Sequence, residues 1–243
     1  MAAIRSASSV ILVREMNPTN ENLLQIYTIV RPDTMRFLPG FTVFPGGASE
    51  EDDHRPEWDD IVLSEMNQHP LLSELANSEW DVMDQPSKKK NQASVITAIR
   101  EVFEETGALI GQHTSSDSPY ADPQRLISYR QALLNQEMTF LDMIKALRIK
   151  LDIQQICYAG RRLTPPFSPI RFNTTFFVTT VPAQTQMLPS PTEVTADAWL
   201  EPSLASGLWE RKEILCAPPT RECFTALAQL TDQKRLLQKL WQN

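Results

Sequence analysis

The chain has 243 residues, 42% of them hydrophobic and 22% charged, a composition typical of a globular protein rather than a disordered or fibrous one. Its net charge of -7 argues against a general nucleic-acid binder, because such proteins present a basic face to phosphates. The three cysteines lack metal-site spacing, and no apolar run reaches the length of a signal peptide or membrane span. We therefore expect a cytoplasmic protein without membrane partners.

The first part of the chain alternates β-rich runs with turns. Residues 7–13 and 23–30 are rich in Val, Ile and Leu and are separated by a polar turn that contains Asn and Pro, so they predict a β-hairpin. Residues 41–44 predict a short strand, which the sequence Pro45-Gly46-Gly47 should end. From about residue 48 to residue 91 the chain is acidic and contains tryptophan. Two short helices are predicted in that segment, at 61–66 and 71–80.

The second part of the chain is dominated by helical patterns. Residues 94–109 predict the clearest helix, because apolar or small residues recur at helical spacing and Gly107 stands where a C-terminal cap is expected. A helical segment is predicted from Pro123 to about Arg148, and one or two helices at 220–241. Strands are predicted at 171–181 and 198–200. Because strands and helices mix without regular βαβ alternation, the sequence favours an α+β fold.

One side of the predicted helix at 94–109 carries three glutamates. Glu101, Glu104 and Glu105 stand at positions i, i+3 and i+4, so their carboxylates lie near one another and repel. A divalent cation bound by carboxylate oxygens would offset this repulsion. The alternative is a solvated acidic face on which Arg100 makes a surface ion pair.

The sequence Arg100-Glu101-Val102-Phe103-Glu104-Glu105-Thr106-Gly107 resembles the second half of the Nudix signature. The first half of that signature, a glycine after a strand, is matched by Gly47, with an insertion of about 39 residues between loop and helix. The signature's first glutamate would then fall at Asp53 or nearby. This resemblance implies an α/β/α sandwich with a mixed sheet, a catalytic loop and helix, and a helical insertion.

The resemblance also implies a role for each matching residue. Glu101, Glu104 and Glu105 would bind Mg²⁺ or Mn²⁺, Arg100 would orient them by ion pairing, and the carbonyl of Gly47 or its neighbour Gly46 would be a further ligand. A metal-bound water would attack phosphorus and release a nucleoside phosphate. The general base varies within the family. Glu193 is our candidate, and the alternative is that it is an exposed loop acid.

A second string, Arg31-x4-Arg36-x3-Gly40-x3-Phe44, is similar to the motif of coenzyme A diphosphatases in the same family. It departs from that motif at Tyr27-Thr28-Ile29 and at Pro32. The similarity implies that Arg31, Arg36, Gly40 and Phe44 contact the substrate, the two arginines by binding a phosphate. The alternative is that both arginines hold the loop against the acidic segment.

Residues from about 10 to 219 resemble the larger, insert-bearing branch of the Nudix family, of the Nudix-type-19 kind. This implies an enzyme that cleaves coenzyme A or acyl-coenzyme A to 4′-phosphopantetheine (or its acyl form) and adenosine 3′,5′-bisphosphate. The alternatives are an ADP-ribose or dinucleotide pyrophosphatase and a non-catalytic module that senses a nucleotide. We expect one domain over 1–243, with an inserted helical lobe at about 53–92 and a helical segment at about 122–150. The ligand would be a small nucleotide, and a homodimer stays open.

Overall fold

A computed structural model describes residues 3–15, 24–63, 88–113, 122–154 and 156–229. The strands in these ranges are β1 (Ile4–Glu15), β2 (Leu24–Val30), β3 (Thr42–Val43), β4 (Gly46–Ala48), β5 (Gln112–His113), β6 (Lys150–Leu151), β7 (Cys157–Leu163), β8 (Arg171–Thr180) and β9 (Ala196–Leu200). The helices are α1 (Lys88–Thr106), α2 (Pro123–Leu134), α3 (Phe140–Leu147), α4 (Pro202–Glu210) and α5 (Pro218–Gln229), with short 3-10 helices at Glu51–His54 and Pro56–Asp60.

The long strand β1 is the centre of a mixed sheet with the order β3-β2-β1-β8-β7. It runs parallel to β8, in a register that extends from Ile4 opposite Arg171 to Val13 opposite Thr180. On its other edge it pairs antiparallel with β4 near its start and with β2 at its end, while β9 adds to β2. The hairpin predicted from the first two apolar runs is therefore confirmed.

The sheet is buried on both faces. Alternate residues of β1 point to opposite sides, because side chains alternate along a strand. Val10 and Leu12 pack with α1 and α3 in one core, whereas Ile11 and Val13 pack with α4 and α5 in a second core. The layers therefore run helix, sheet, helix, which confirms the predicted α+β architecture with a mixed sheet.

The helix that carries the three glutamates was predicted at 94–109 and spans Lys88–Thr106. The apolar positions that define its predicted stripe are buried, as are most of their neighbours on that side. The segment predicted to be helical from Pro123 to about Arg148 consists of two helices, α2 and α3. Between them, Gln136 takes a left-handed φ of 59°. The Thr139 side chain then accepts a hydrogen bond from the Asp142 N–H, which caps the start of α3.

Several elements escaped the sequence patterns. Strand β7, helix α4 and the small β5–β6 sheet had no predicted counterpart. Residues 61–63 are not helical: they pair with the β6 strand, where the Leu63 N–H donates to the Leu151 carbonyl over 2.9 Å. Most of the two helices predicted at 61–66 and 71–80, and the chain after residue 229, lie outside the described residues.

The predicted organisation as one domain over 1–243, with a lobe at 53–92, stays a prediction. Within the five described ranges, no helix has both the length and the apolar character needed to cross a membrane.

Strand β4 brings two glycines against β1 and α1. A Cβ on Gly46 would lie 2.2 Å from the Ser8 carbonyl oxygen, and the φ of Gly46 is 155°, so only glycine fits at this point. The atoms that this Cβ would meet belong to Ser8 and Ser9 of the central strand, and they cannot move away without disrupting the sheet. The close approach of β4 to β1 therefore depends on Gly46.

We predict that Gly46→Ala lowers the free energy of unfolding by about 3 kcal/mol, because the added methyl group overlaps backbone atoms. The matched control is Gly207→Ala in α4, where the added Cβ meets only the flexible end of Arg211. That change should be neutral or stabilise by up to about 1 kcal/mol. Urea unfolding of the three proteins measures both effects. Equal stability of the Gly46→Ala variant and the wild type would contradict the prediction.

Candidate functional site

The carboxylates of α1 lie against the glycines of β4. Glu105 is 4% exposed, and its Oε2 accepts a hydrogen bond from the Gly46 N–H over 2.7 Å. The Glu101 carboxylate lies directly over Gly47, since a Cβ there would come within 2.5 Å of Glu101 Oε2. The loop and the helix that the resemblance placed together are therefore in contact, despite their distance in sequence.

Arg100 is the buried cation of this site. Its Nη1 is 2.9 Å from Glu101 Oε1 and donates to Glu104 Oε2 over 2.9 Å, while its Nη2 donates to the Ala48 carbonyl over 2.8 Å. Only 3% of its side chain is exposed. Arg100 thus holds two of the three glutamates and the end of β4 at the same time. The alternative of a surface ion pair on a solvated helix face does not fit this degree of burial.

Asp53 completes the network around Arg100. Its carboxylate accepts hydrogen bonds from Arg100 Nε (3.0 Å) and Nη2 (3.1 Å), from the Thr97 hydroxyl (2.8 Å) and from the Glu50 N–H (3.0 Å). Its side chain is 1% exposed. Asp53 therefore occupies the position at which the sequence suggested the first acidic residue of the signature. Its partners show that it fixes the arginine rather than pointing outward.

Burial and mutual repulsion raise the pKa values of the three glutamates. Burial raises the pKa of Glu104 to about 7, and the charge of Arg100 opposes that shift. The pKa values of Glu101 and Glu105 are also raised, first by burial and then by neighbouring carboxylates. For Arg100, burial alone would lower the pKa, but the hydrogen bonds that it donates to Asp53 and the charges of Glu101 and Glu104 raise it. The site therefore holds more negative charge than its own arginine neutralises.

The donor atoms of this site fit a hard divalent cation. Among the described residues, no three acidic, histidine or cysteine side chains converge on one point as a bound ion requires. The reason is that Glu101 and Glu104 turn to Arg100, while Glu105 turns to the Gly46 N–H. The site nevertheless offers only oxygen atoms, from carboxylates and backbone carbonyls, which Mg²⁺ and Mn²⁺ prefer. A cation would also relieve the repulsion that raises the glutamate pKa values.

Glu193 lies in the segment between β8 and β9 and faces the same charges. Burial raises its pKa, and the arginines Arg130, Arg31 and Arg100 act in the opposite direction. The negative charge of Glu193 in turn raises the pKa values of all three glutamates of α1. The structure thus brings our candidate base to the carboxylate cluster, and it is half-buried there rather than an exposed loop acid.

The predicted substrate residues lie in different environments. Arg31 donates from Nε to the Phe37 carbonyl over 3.1 Å, so it stabilises its own loop, and its charge lowers the pKa of Glu105. Arg36 is exposed on that loop. Gly40 takes a φ of 70° and donates its N–H to the Arg31 carbonyl over 3.1 Å, which closes the loop. The alternative in which both arginines hold the loop against the acidic segment therefore stays open.

Phe44 requires a correction. Its side chain is 3% exposed and packs edge-on against Phe224 of α5, with ring centroids 5.7 Å apart. Phe224 belongs to the core on the sheet face opposite α1. Phe44 is consequently a core residue and does not face the carboxylates, because alternation along the chain turns it to the other side of the sheet.

Sequence reasoning missed two residues beside the cluster. Tyr27 is fully buried, and its hydroxyl donates to Asp197 over 2.9 Å. Burial is the main cause that raises its pKa, followed by Asp197 and by the charge of Glu105. Arg130 of α2 contacts the C-terminal end of α1. No local motif marks either residue, and both reach the site only through the packing of distant elements. A single sequence contained no signal that could have identified them.

The chain is similar to proteins of one family. The family model described as the NUDT19 Nudix domain matches residues 4–225. The acyl-coenzyme A diphosphatase NUDT19 of Xenopus laevis is 28% identical over 228 residues, which cover 83% of this chain and 60% of that protein. The Homo sapiens protein of the same name is 28% identical over 207 residues, covering 75% of this chain and 55% of that protein. The chain thus spans less than two thirds of the length of these relatives.

A solved structure is similar over almost the whole chain. The crystal structure of a NUDIX hydrolase from Alicyclobacillus acidocaldarius matches with a TM-score of 0.71 at 24% sequence identity. The match covers 98% of this chain and 96% of that chain. This similarity shows that the two chains share a fold.

The raised pKa of Glu104 predicts how stability depends on pH without metal. Because this pKa is about 7 in the folded protein and 4.5 is the ordinary value, the folded state binds the proton more tightly than the unfolded state between these values. Stability contributed by this group is therefore present at low pH and is lost as pH rises through that window.

We predict that the difference in Tm between Glu104→Gln and the wild type shifts in favour of the variant, by a few degrees, as pH rises from about 5 to about 8 in chelator. Thermal unfolding at a series of pH values measures the difference between the two proteins. Glu210→Gln, at an exposed position in α4, is the control and should show a constant difference. A Glu104→Gln difference that stays constant or shrinks toward pH 8 would contradict the sign of the shift.

Proposed function

Because the chain belongs to the Nudix family, in the branch described as the NUDT19 Nudix domain, we propose that it hydrolyses a diphosphate linkage with a divalent cation. The substrate class is a nucleoside diphosphate derivative, and within it we propose coenzyme A or an acyl-coenzyme A. The products would be 4′-phosphopantetheine, or its acyl form, and adenosine 3′,5′-bisphosphate. The observation that carries the proposal is the cluster of three glutamates that α1 holds around Arg100 and against Gly46–Gly47.

The proposed cation ligands are Glu101, Glu104 and Glu105, with the carbonyl of Gly47 as a further donor, and the ion is Mg²⁺ or Mn²⁺. When bound, such an ion neutralises charge on the phosphate oxygens and makes a water molecule more acidic. Arg100 holds Glu101 and Glu104 near the site, and from there their carboxylates would turn toward a bound ion. The Gly46 N–H does the same for Glu105.

Glu193 is the residue that we propose as general base. A base must be ionised to accept a proton, and it must hold that proton firmly enough to help the attacking water. Burial raises the pKa of Glu193, while Arg130 and Arg31 favour its charged form. These opposing effects leave a carboxylate that is more basic than an ordinary surface glutamate. The segment that carries Glu193 is hydrogen-bonded to the C-terminal end of α1, near the proposed ligands, through the N–H groups of Leu188 and Ser190.

Two observations support coenzyme A or its acyl esters as the substrate. The relatives with similar sequence carry the name acyl-coenzyme A diphosphatase. Burial raises the pKa of Glu105, and the loop after β2 places Arg31 close enough to oppose that rise, with Arg36 exposed further along the loop. Guanidinium groups bind phosphate through paired, charge-assisted hydrogen bonds. Arg31 would contact the diphosphate and Arg36 a more distant phosphate.

The decisive experiment offers the purified protein coenzyme A, an acyl-coenzyme A, ADP-ribose and a dinucleotide. Each compound is incubated with Mg²⁺, Mn²⁺ or chelator, and the products are separated by chromatography. We expect adenosine 3′,5′-bisphosphate from the first two compounds and no turnover in chelator. Cleavage of ADP-ribose or the dinucleotide without cleavage of coenzyme A would replace the proposed substrate. Tight binding without any cleavage would instead favour a nucleotide sensor.

The same assay with Glu105→Gln tests the carboxylate cluster. Glutamine keeps the shape of the side chain and its oxygen can still accept the Gly46 N–H, so the fold should persist, but the negative charge is lost. We expect kcat to fall by more than about 100-fold, because even partners of metal ligands contribute 10- to 100-fold. Unchanged turnover, with an unchanged Tm that shows intact folding, would remove Glu105 from the proposed ligands.

Replacing Arg36 by alanine tests the proposed phosphate contact. We expect KM for coenzyme A to rise about tenfold with kcat nearly unchanged, since one charge-assisted hydrogen bond contributes about 1.5 kcal/mol to binding. Arg211→Ala, which removes another exposed arginine from the far end of α4, is the matched control. If both variants behave like the wild type, Arg36 does not contact the substrate.

The cytoplasmic location, the homodimer and the absence of nucleic-acid and membrane partners stay predictions.

A further inference from the structure

The C-terminal end of α1 is bonded to the segment that carries Glu193. The last four carbonyls of a helix have no partner within it and must find one elsewhere. In α1 each of the last four carbonyls accepts a hydrogen bond. Only one of the donors, the Gly107 N–H, belongs to the residue that directly follows the helix. The pairs are Phe103 with the Gly107 N–H (2.8 Å), Glu104 with Arg130 (2.8 and 3.0 Å), Glu105 with the Ser190 N–H (2.8 Å) and Thr106 with the Leu188 N–H (2.7 Å).

Arg130 bonds to both sides of this junction. Its Nε and Nη2 donate to the Glu104 carbonyl, and its Nη1 donates to the Leu188 carbonyl over 2.5 Å. One guanidinium of α2 therefore joins the helix of the proposed cation ligands to the segment between β8 and β9. A positive charge at the C-terminal end of a helix is also favoured by the helix dipole.

Gly107 makes room for this junction. Its φ of 74° ends the helix, and a Cβ at this position would lie 3.2 Å from Arg130 Nη1 and 3.3 Å from the Leu188 Cβ. A side chain here would push the arginine and the segment apart. The glycine that closes the signature in this chain thus permits the approach of Arg130 and Leu188.

The guanidinium also faces acidic side chains. Glu193 is the first of the charges that raise the pKa of Arg130 against the effect of its burial, followed by Tyr27, Glu104 and Glu105. Only four residues separate Leu188 from Glu193, and the N–H groups of Glu193 and Val194 donate to the Ser190 carbonyl over 3.1 and 2.8 Å. The backbone that Arg130 holds is thus a short, internally bonded turn that ends at Glu193.

We propose that Arg130 is a positioning residue that fixes Glu193 relative to the three glutamates of α1. The guanidinium holds two backbone carbonyls, one from each side of the junction, at a fixed separation. A shift of this segment by about 1 Å would move the base from the attacking water and reduce the rate by about 100-fold. The inference rests on the proposed function, because the placement of Glu193 matters to the rate only if it acts as the base.

The test compares Arg130→Lys with Arg125→Ala. Lysine keeps the positive charge, but one ammonium group cannot reproduce the planar donors that bond to both carbonyls. Arg125 lies on the same helix, is exposed and contacts Tyr129 within α2, so its replacement is the matched control. We expect Arg130→Lys to lower kcat about 10- to 100-fold, with KM within about twofold of the wild type, and Arg125→Ala to change neither.

A double-mutant cycle separates positioning from a general structural role. If Arg130 acts through Glu193, the Arg130→Lys change should cost little further activity in a Glu193→Gln background. If the two losses multiply, Arg130 acts independently of Glu193 and the proposal is wrong. Full activity of Glu193→Gln would overturn it as well.

A readout without metal or substrate keeps the proposal separate from the proposed function. Hydrogen exchange at the amides of Leu188 and Ser190, which bond to α1, should be faster in Arg130→Lys and unchanged in Arg125→Ala. Unchanged exchange in Arg130→Lys would contradict the junction even if the enzyme is active. A wild-type protein that cleaves no diphosphate would end the proposed function, while the exchange experiment would still decide whether Arg130 holds the segment.

Discussion

The guanidinium of Arg100 connects parts of the molecule that are far apart in sequence. It is buried and pairs with Asp53 from the loop, with Glu101 and Glu104 from α1 and with the Ala48 carbonyl at the end of β4. A charge removed from water is tolerated only if it is fully paired, and removing one partner of such a pair costs about 3–5 kcal/mol. The same contacts that satisfy the arginine therefore dictate where the acidic side chains stand.

The sheet explains why this arrangement is stable enough to hold repelling carboxylates. Helix α1 packs against the central strand through Ile99 and Val102, both fully buried, so its orientation is set by apolar contacts on the side away from the glutamates. The close approach of β4, which Gly46 permits, then supplies an N–H for Glu105. Hydrophobic packing thus offsets the electrostatic cost of bringing three acids together.

Much of this could be predicted from the sequence, and the limits have physical causes. Periodicity predicted α1, the first hairpin and β8, because long regular patterns are governed by local structure. It missed β7, whose Gly160-Arg161-Arg162 has no strand-like alternation. It also did not show where α2 ends and α3 begins, because a left-handed residue such as Gln136 leaves no compositional mark. Within the site, the family motif located the acids. Arg130 and Tyr27 depend on tertiary packing that one sequence does not encode locally.

The two ends of the insertion are held in different ways. At the first end, Asp53 accepts a hydrogen bond from Arg100, and the Leu63 N–H donates to the Leu151 carbonyl of β6. On the other side, the chain returns in α1, which is packed against the sheet over several turns. The contacts that fix the acids in the described part of the chain therefore come from residues on both sides of 64–87. A change in the number of residues between Leu63 and α1 would alter the sequence distance from loop to helix without removing any of these contacts.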